Sequence, residues 1–183
     1  HALGLTPGVI ALADRLRAGG HTVHTPDLYD GRTFDSVESG VDHARGIGFG
    51  TLVERGSAIA ADLPEDLVYV GISMGVMPAQ NLAQNRQRAR GAVFFESSVP
   101  AEEFGGAWPA GVPLQVHAMD ADPEFVPTGD IDAARALVAA SEDGELFLYP
   151  GDQHLFTDAS LPSHDAEATD LVTLRVLEFL GRI

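Results

Sequence analysis

The sequence contains no cysteine and no lysine. Without cysteine there are no disulfides, no zinc–thiolate centres and no thiol nucleophile. Without lysine there is no Schiff base and no P-loop. Positive charge is scarce: 11 arginines stand against 27 Asp and Glu, a formal net charge of −16. Nucleic-acid backbones are bound through Lys and Arg, so no nucleic-acid partner is expected. An anionic membrane surface is disfavoured for the same reason. No apolar run reaches the roughly 18 residues of a membrane span, and no signal peptide is visible. The expected location is therefore cytoplasmic.

What is present suits a globular chain. Apolar residues make up 45% of the sequence, enough to fill a core. The 183 residues correspond to a single domain, 1–183, at about 150 residues per domain. Strand-like and helix-like stretches alternate. His21-Thr22-Val23-His24 is β-prone, and Leu67 to Ile72 is a continuous apolar run, as in a strand covered on both faces. Ala92 to Phe95, Leu114 to Met119 and Glu145 to Tyr149 repeat the pattern. Helical spacing is seen over Pro7–Ala18, Thr51–Ala61, Gly75–Gln87, Asp130–Ala140 and Ala166–Leu180. The alternation predicts an α/β fold with a mainly parallel sheet and helices on both faces. Glu96 to Val112 and the glycine-rich Asp35 to Gly50 read as surface excursions, the latter suited to a pocket mouth. His1 to Thr6 reads as the loop after a strand, so the natural chain is expected to lie partly upstream, with the first strand missing.

Gly71-Ile72-Ser73-Met74-Gly75 fits G-x-S-x-G between a buried-strand pattern and a helical one. A sharp strand-to-helix turn forces the serine into strained backbone angles, and bulky neighbours would clash there. The helix that follows directs its N-terminus at the site, which favours a developing anion. The NH of Met74 would be one oxyanion donor. The bland alternative is a glycine-flanked serine at an ordinary turn. A serine needs a base, and this kind of fold orders the residues Ser, acid, His. His154 follows a strand and the Pro150-Gly151 turn, where α/β active sites assemble. His117 lies inside a strand pattern and reads as a core residue. His164 reads as a surface or capping residue, and His24 and His43 precede the serine. Asp120 and Asp122 both end the strand before His154, and pattern alone does not separate them; Asp130 and Asp152 are weaker acids.

The residues taken together resemble the dienelactone hydrolase family of α/β-hydrolases. Gly4-Leu5-Thr6 is similar to its first loop. Gly20-His21 through Val23 into Pro26-Asp27-Leu28-Tyr29 resembles its second strand. The elbow, then His117 to Asp122 with Phe125-Val126-Pro127, then Tyr149-Pro150-Gly151 to His154 and Phe156, continue the match in order. Asp165 to Leu180 resembles its closing helix. The resemblance implies an α/β-hydrolase fold and places the acid on Asp122. Asp120 is the runner-up, because Met119 stands where the family has Gly.

The implied activity is that of a serine hydrolase for a small ester or lactone, working through an acyl-enzyme without metal or organic cofactor. Ser73, Asp122 and His154 are the catalytic candidates. Met74, with Leu3 or Ala2 from the first loop, forms the oxyanion hole. The expected substrate-binding residues are His1, Phe156 and Asp158. Three departures from the family stand out. Its name-giving enzymes use Cys where Ser73 stands, and carry a Glu where His1 stands. Their carboxylate-binding Arg, four residues after the catalytic His, is replaced by Asp158. That substitution predicts repulsion of anionic substrates unless Arg32 or Arg45 supplies a cation. A small-molecule substrate is the expected partner, and a homodimer is admitted. The alternatives are a non-catalytic binding protein on the same fold and an acyltransferase.

Overall fold

The computed structural model describes residues 1–183. Four strands, β1 (Val68–Ile72), β2 (Gly91–Phe95), β3 (Leu114–Met119) and β4 (Gly144–Tyr149), form one sheet in the order β1-β2-β3-β4. All three pairings are parallel: Val68 aligns with Gly91, Ala92 with Leu114 and Leu114 with Gly144. The two central strands are buried at every position, which explains their continuous apolar runs.

Side-chain alternation divides each central strand between two cores. Ala92, Phe94, Leu114 and Val116 meet α4 (Val76–Asn85) and α5 (Asp130–Ala140), with Trp108 edge-on to Phe94 at 5.9 Å. Val93, Phe95 and Met119 meet α1 (Pro7–Ala18) and α6 (Ala166–Arg182). The helices start where the chain chemistry allows. Thr6 caps α1, accepting from the Val9 NH at 3.3 Å, and Pro7 needs no donor in the first turn. Asp165 caps α6 in the same way through the Ala168 NH at 2.9 Å. His117 is a fully buried core residue between Tyr149 and Gln115, at 2.9 and 3.1 Å. Burial, helped by the charge of Arg175, lowers its pKa to about 3, so it stays neutral.

Two expectations are corrected. The glycine-rich stretch after Asp35 is helical, not a loop: α2 (Val37–Ile47) is capped by Ser36, and α3 (Phe49–Ala61) follows. One of its glycines permits close packing, since a Cβ on Gly40 would collide with the Ala2 carbonyl. The second correction concerns His21 to His24, which form no strand. That segment lines a cleft of about 450 Å³ together with the edge strand β1 and makes no ladder with it. A strand exists only by pairing. The cleft is walled by Leu12 and Leu16, by Ile59 and Leu63, and by Val70, which is 40% exposed.

One buried cluster ties the start of the chain to the loop after β4. Asp158 is 1% exposed and accepts from Thr6 Oγ1, from His1 Nε2 at 2.8 Å, and from the NH and hydroxyl of Ser160 at 2.8 and 2.6 Å. Burial opposes the charge, but these donors outweigh it and hold the carboxyl well below the usual carboxylate range. Gly8 completes the fit, because any Cβ there would occupy the Asp158 carboxylate.

Two stability measurements check this architecture. Phe94→Ala should cost about 3–5 kcal/mol in urea unfolding, whereas Val70→Ala, facing the open cleft, should cost less than about 1 kcal/mol. Asp158→Arg should destabilise the protein by about 3–5 kcal/mol, because it strands buried donors and inserts an unpaired cation. Asp158→Asn should cost about 1–3 kcal/mol. Since folding depresses this pKa, the benefit of the charge is complete above about pH 4 and is lost on further acidification. The wild-type and Asn melting curves should therefore converge in acid.

Candidate active site

Parallel strands place their C-terminal ends along one edge of the sheet, and the site is assembled there from the segments following all four strands. Ser73 begins a short 3-10 turn directly after β1. Its φ of +49° is a left-handed conformation rarely adopted by a residue with a side chain. The flanking glycine makes the turn sterically feasible. A Cβ on Gly71 would lie 2.5 Å from Val76 Cα and 2.7 Å from the Gly75 carbonyl oxygen.

The loops after β3 and β4 bring two further side chains to the serine. His154 Nε2 lies 2.9 Å from Ser73 Oγ, and His154 Nδ1 lies 2.8 Å from Asp122 Oδ2. The carboxylate can only accept, so Nδ1–H donates to it and Nε2 accepts the serine hydroxyl. Asp122 is completely buried, and its other oxygen accepts the Glu124 NH at 2.8 Å. Burial penalises the imidazolium of His154. The Asp122 hydrogen bond and the charges of Glu96, Asp122 and Glu124 outweigh that penalty, and the pKa is raised. Asp120 points elsewhere, accepting the Gly151 NH at 3.1 Å.

The remaining sequence candidates divide. Met74 follows the serine in the 3-10 turn. The Leu3 NH is already committed to His1 Nδ1 at 3.2 Å, while no hydrogen bond engages the NH of buried Ala2. Of the three expected substrate-binding side chains, Phe156 and Asp158 are buried in the fold, whereas His1 lines the cleft beside Met74 and Gly75. His1 is held by Asp158, whose own carboxylate is turned into the protein. Phe156 is fully buried against Tyr149, with ring centroids 5.6 Å apart. Direct repulsion between Asp158 and a substrate carboxylate would need an exposure that Asp158 does not have. Of the two alternative cations, Arg45 is paired with Asp42 at 3.1 Å. Arg32 adjoins Thr33, which bridges to Gly4 of the first loop.

Sequence reasoning put Glu96 at the start of a surface excursion and gave it no role, but Glu96, Ser98 and Trp108 of that segment are buried. Glu96 lies directly after β2, is fully buried, and is pushed up to about 7, first by burial, then by the charge of Asp122, against the attraction of His154. The available signal was an acid at the end of the apolar run Ala92 to Phe95. No group of His, Asp and Glu has the geometry of a metal site.

Comparison with known proteins places this geometry. No curated protein matches the sequence significantly. Among solved structures, the chain is similar to a proposed dienelactone hydrolase from Klebsiella pneumoniae subsp. pneumoniae MGH 78578. The TM-score is 0.73 at 15% identity, covering 100% of this chain and 84% of that one. A structure named m3DLH gives 0.72 at 22% identity, with 97% and 82% covered. A cold-adapted esterase from an Arctic intertidal metagenomic library gives 0.53 at 14% identity, with 94% and 76% covered. At these identities the likeness shows the fold, which is that of the α/β-hydrolases. The family model of dienelactone hydrolases matches residues 1–183, and the chain belongs to the dienelactone hydrolase family.

Proposed function

We propose that the protein is a serine hydrolase that cleaves a small ester or lactone through an acyl-enzyme on Ser73. Membership of a hydrolase family supports the reaction class. The observation that carries the mechanism is the continuous hydrogen-bonded path from Ser73 through His154 to Asp122, at 2.9 and 2.8 Å. Ser73 Oγ attacks the carbonyl carbon while His154 Nε2 takes its proton. Asp122 fixes the tautomer and stabilises the imidazolium. The oxyanion is held by the NH groups of Met74 and Ala2, the latter a buried amide of the first loop that makes no other hydrogen bond. His154 then protonates the departing alcohol, and the C–O bond breaks. Water attacks the acyl-enzyme with His154 again as base, which releases the acid and restores Ser73. In a lactone the alcohol stays tethered to the acyl group. A binding protein without turnover would have no use for a strained serine aligned on a base.

A fluorophosphonate should label the protein stoichiometrically. Ser73→Ala should abolish labelling and lower kcat by about 10³-fold or more, with the fold retained. Unlabelled, folded wild-type protein would favour the binding alternative. Because Asp158 is buried, a bias against anionic substrates would come from the acids beside His154, such as exposed Glu124, and from the net charge of −16, a long-range effect that salt screens. A neutral ester should have a higher kcat/KM than its carboxylate analogue at low salt, and the gap should narrow as salt is added. Preference for the anion, weakening with salt, would point to a local cation such as Arg32.

A further inference from the structure

Glu96 is hard to explain as packing. Both carboxylate oxygens are buried without a hydrogen-bond partner. Its φ is +62°, a conformation that glycine adopts freely and glutamate does not. The residue thus combines backbone strain with an unsatisfied buried acid, two costs that a glycine would avoid. Its backbone is nevertheless firmly held. The Glu96 NH donates to the His117 carbonyl at 2.8 Å. The Ser97 hydroxyl and Ser98 NH donate to Asp130 Oδ2 at 2.7 and 3.3 Å.

Its position gives it a use. β2 lies between β1 and β3, so the residue after it emerges between the segments bearing Ser73 and Asp122. The carboxyl faces the backbone NH groups of Leu155 and Thr157 and is electrostatically coupled to His154 and Asp122. Leu155 is left-handed at φ +60°, and the Thr157 hydroxyl is buried without a partner. Ser73, Glu96 and Leu155 are three of the four non-glycine residues with positive φ. Strain is therefore gathered around the serine–histidine pair.

We propose that Glu96 is a positioning residue of the hydrolase: its buried carboxyl supports the turn carrying His154 and, when ionised, stabilises the imidazolium formed as Ser73 attacks. The proposal rests on the serine-hydrolase reading above. Glu96 touches no substrate and neither gains nor loses a proton in the cycle. The Ser73 proton passes to His154 and leaves with the alcohol, while Glu96 contributes a fixed negative charge. The charged groups facing His154 are Asp122 and Glu124 from the loop after β3, and Glu96 from the end of β2. The charge of Glu96 favours the imidazolium of His154, and the imidazolium in turn favours ionised Glu96, so neither ionises independently of the other.

The test compares wild type, Glu96→Gln and Glu96→Gly in pH profiles of p-nitrophenyl acetate hydrolysis, with melting curves. Gln keeps the volume and removes the charge. At about pH 8 its kcat should fall about tenfold, the worth of one pH unit in a neighbouring ionisation, with KM unchanged. The acid limb of kcat/KM should move to lower pH, because the imidazolium has lost a stabilising charge. Folding raises the pKa of Glu96, so its ionisation costs stability as pH rises through about 7. Gln and Gly should therefore melt no lower than wild type at about pH 8 while losing activity. Wild-type kcat and acid limb in Glu96→Gln, or losses that follow a lowered melting temperature, would overturn the proposal.

A second measurement needs no Glu96 variant. The His154 ring, assigned by comparison with His154→Gln, should titrate by NMR in two steps in the wild-type protein. A single step would equally overturn the coupling. Failure of fluorophosphonate to label Ser73 would remove the hydrolase reading and the catalytic role of Glu96 with it. The two-step titration requires no turnover, so it reports separately on whether the two groups are coupled.

Discussion

Parallel pairing is the constraint from which the site follows. Once β2 and β3 are buried on both faces, every connection must leave at the same edge of the sheet and cross back over a face, through α4 and α5 for two of them and through an irregular segment with one 3-10 turn between β2 and β3. Ser73, Glu96, Asp122 and His154 follow β1, β2, β3 and β4 respectively, each within a few residues of the strand end. The hydrogen bonds among Ser73, His154 and Asp122 are thus set by strand register as much as by local loop structure. A slip between β3 and β4 would break the imidazole–carboxylate contact without altering either loop sequence.

The parts legible in the sequence were those with strong local chemistry. Four apolar runs marked the four strands, and the glycines around Ser73 marked a turn in which Gly71 leaves no room for a larger residue. The choice between Asp122 and Asp120 came from family resemblance, since both end the same strand and pattern treats them alike. The structure sends one carboxylate to His154 and the other to the Gly151 NH. The glycines of α2 misled because glycine usually marks a turn, whereas Gly40 here permits contact with the first loop. His21 to His24 has the composition of a strand, but strand formation is a property of pairs.

Asp158 and Glu96 were opaque for a different reason. Whether a carboxylate faces solvent or the interior depends on segments far away in the chain. Asp158 is satisfied by His1 and Thr6, more than 150 residues distant. Glu96 is left unsatisfied beneath a turn that begins at His154. Two acids that look alike in sequence have opposite proton affinities, one held ionised by its donors and the other pushed toward neutrality by burial.

The open side of β1 has a consequence for how the protein behaves in company. A parallel edge bearing Val68, Tyr69 and Val70, with no charge, proline or bulge, is guarded against intermolecular strand addition only by its short length and by the α1 and α3 walls of the cleft. The walls from α1 and α3 make the cleft a selective entry for extended apolar backbone. Any segment that enters adds its binding free energy to that of folding. Were a segment of another copy to pair there, the melting temperature would rise with protein concentration, so it is a quantity to measure at more than one concentration.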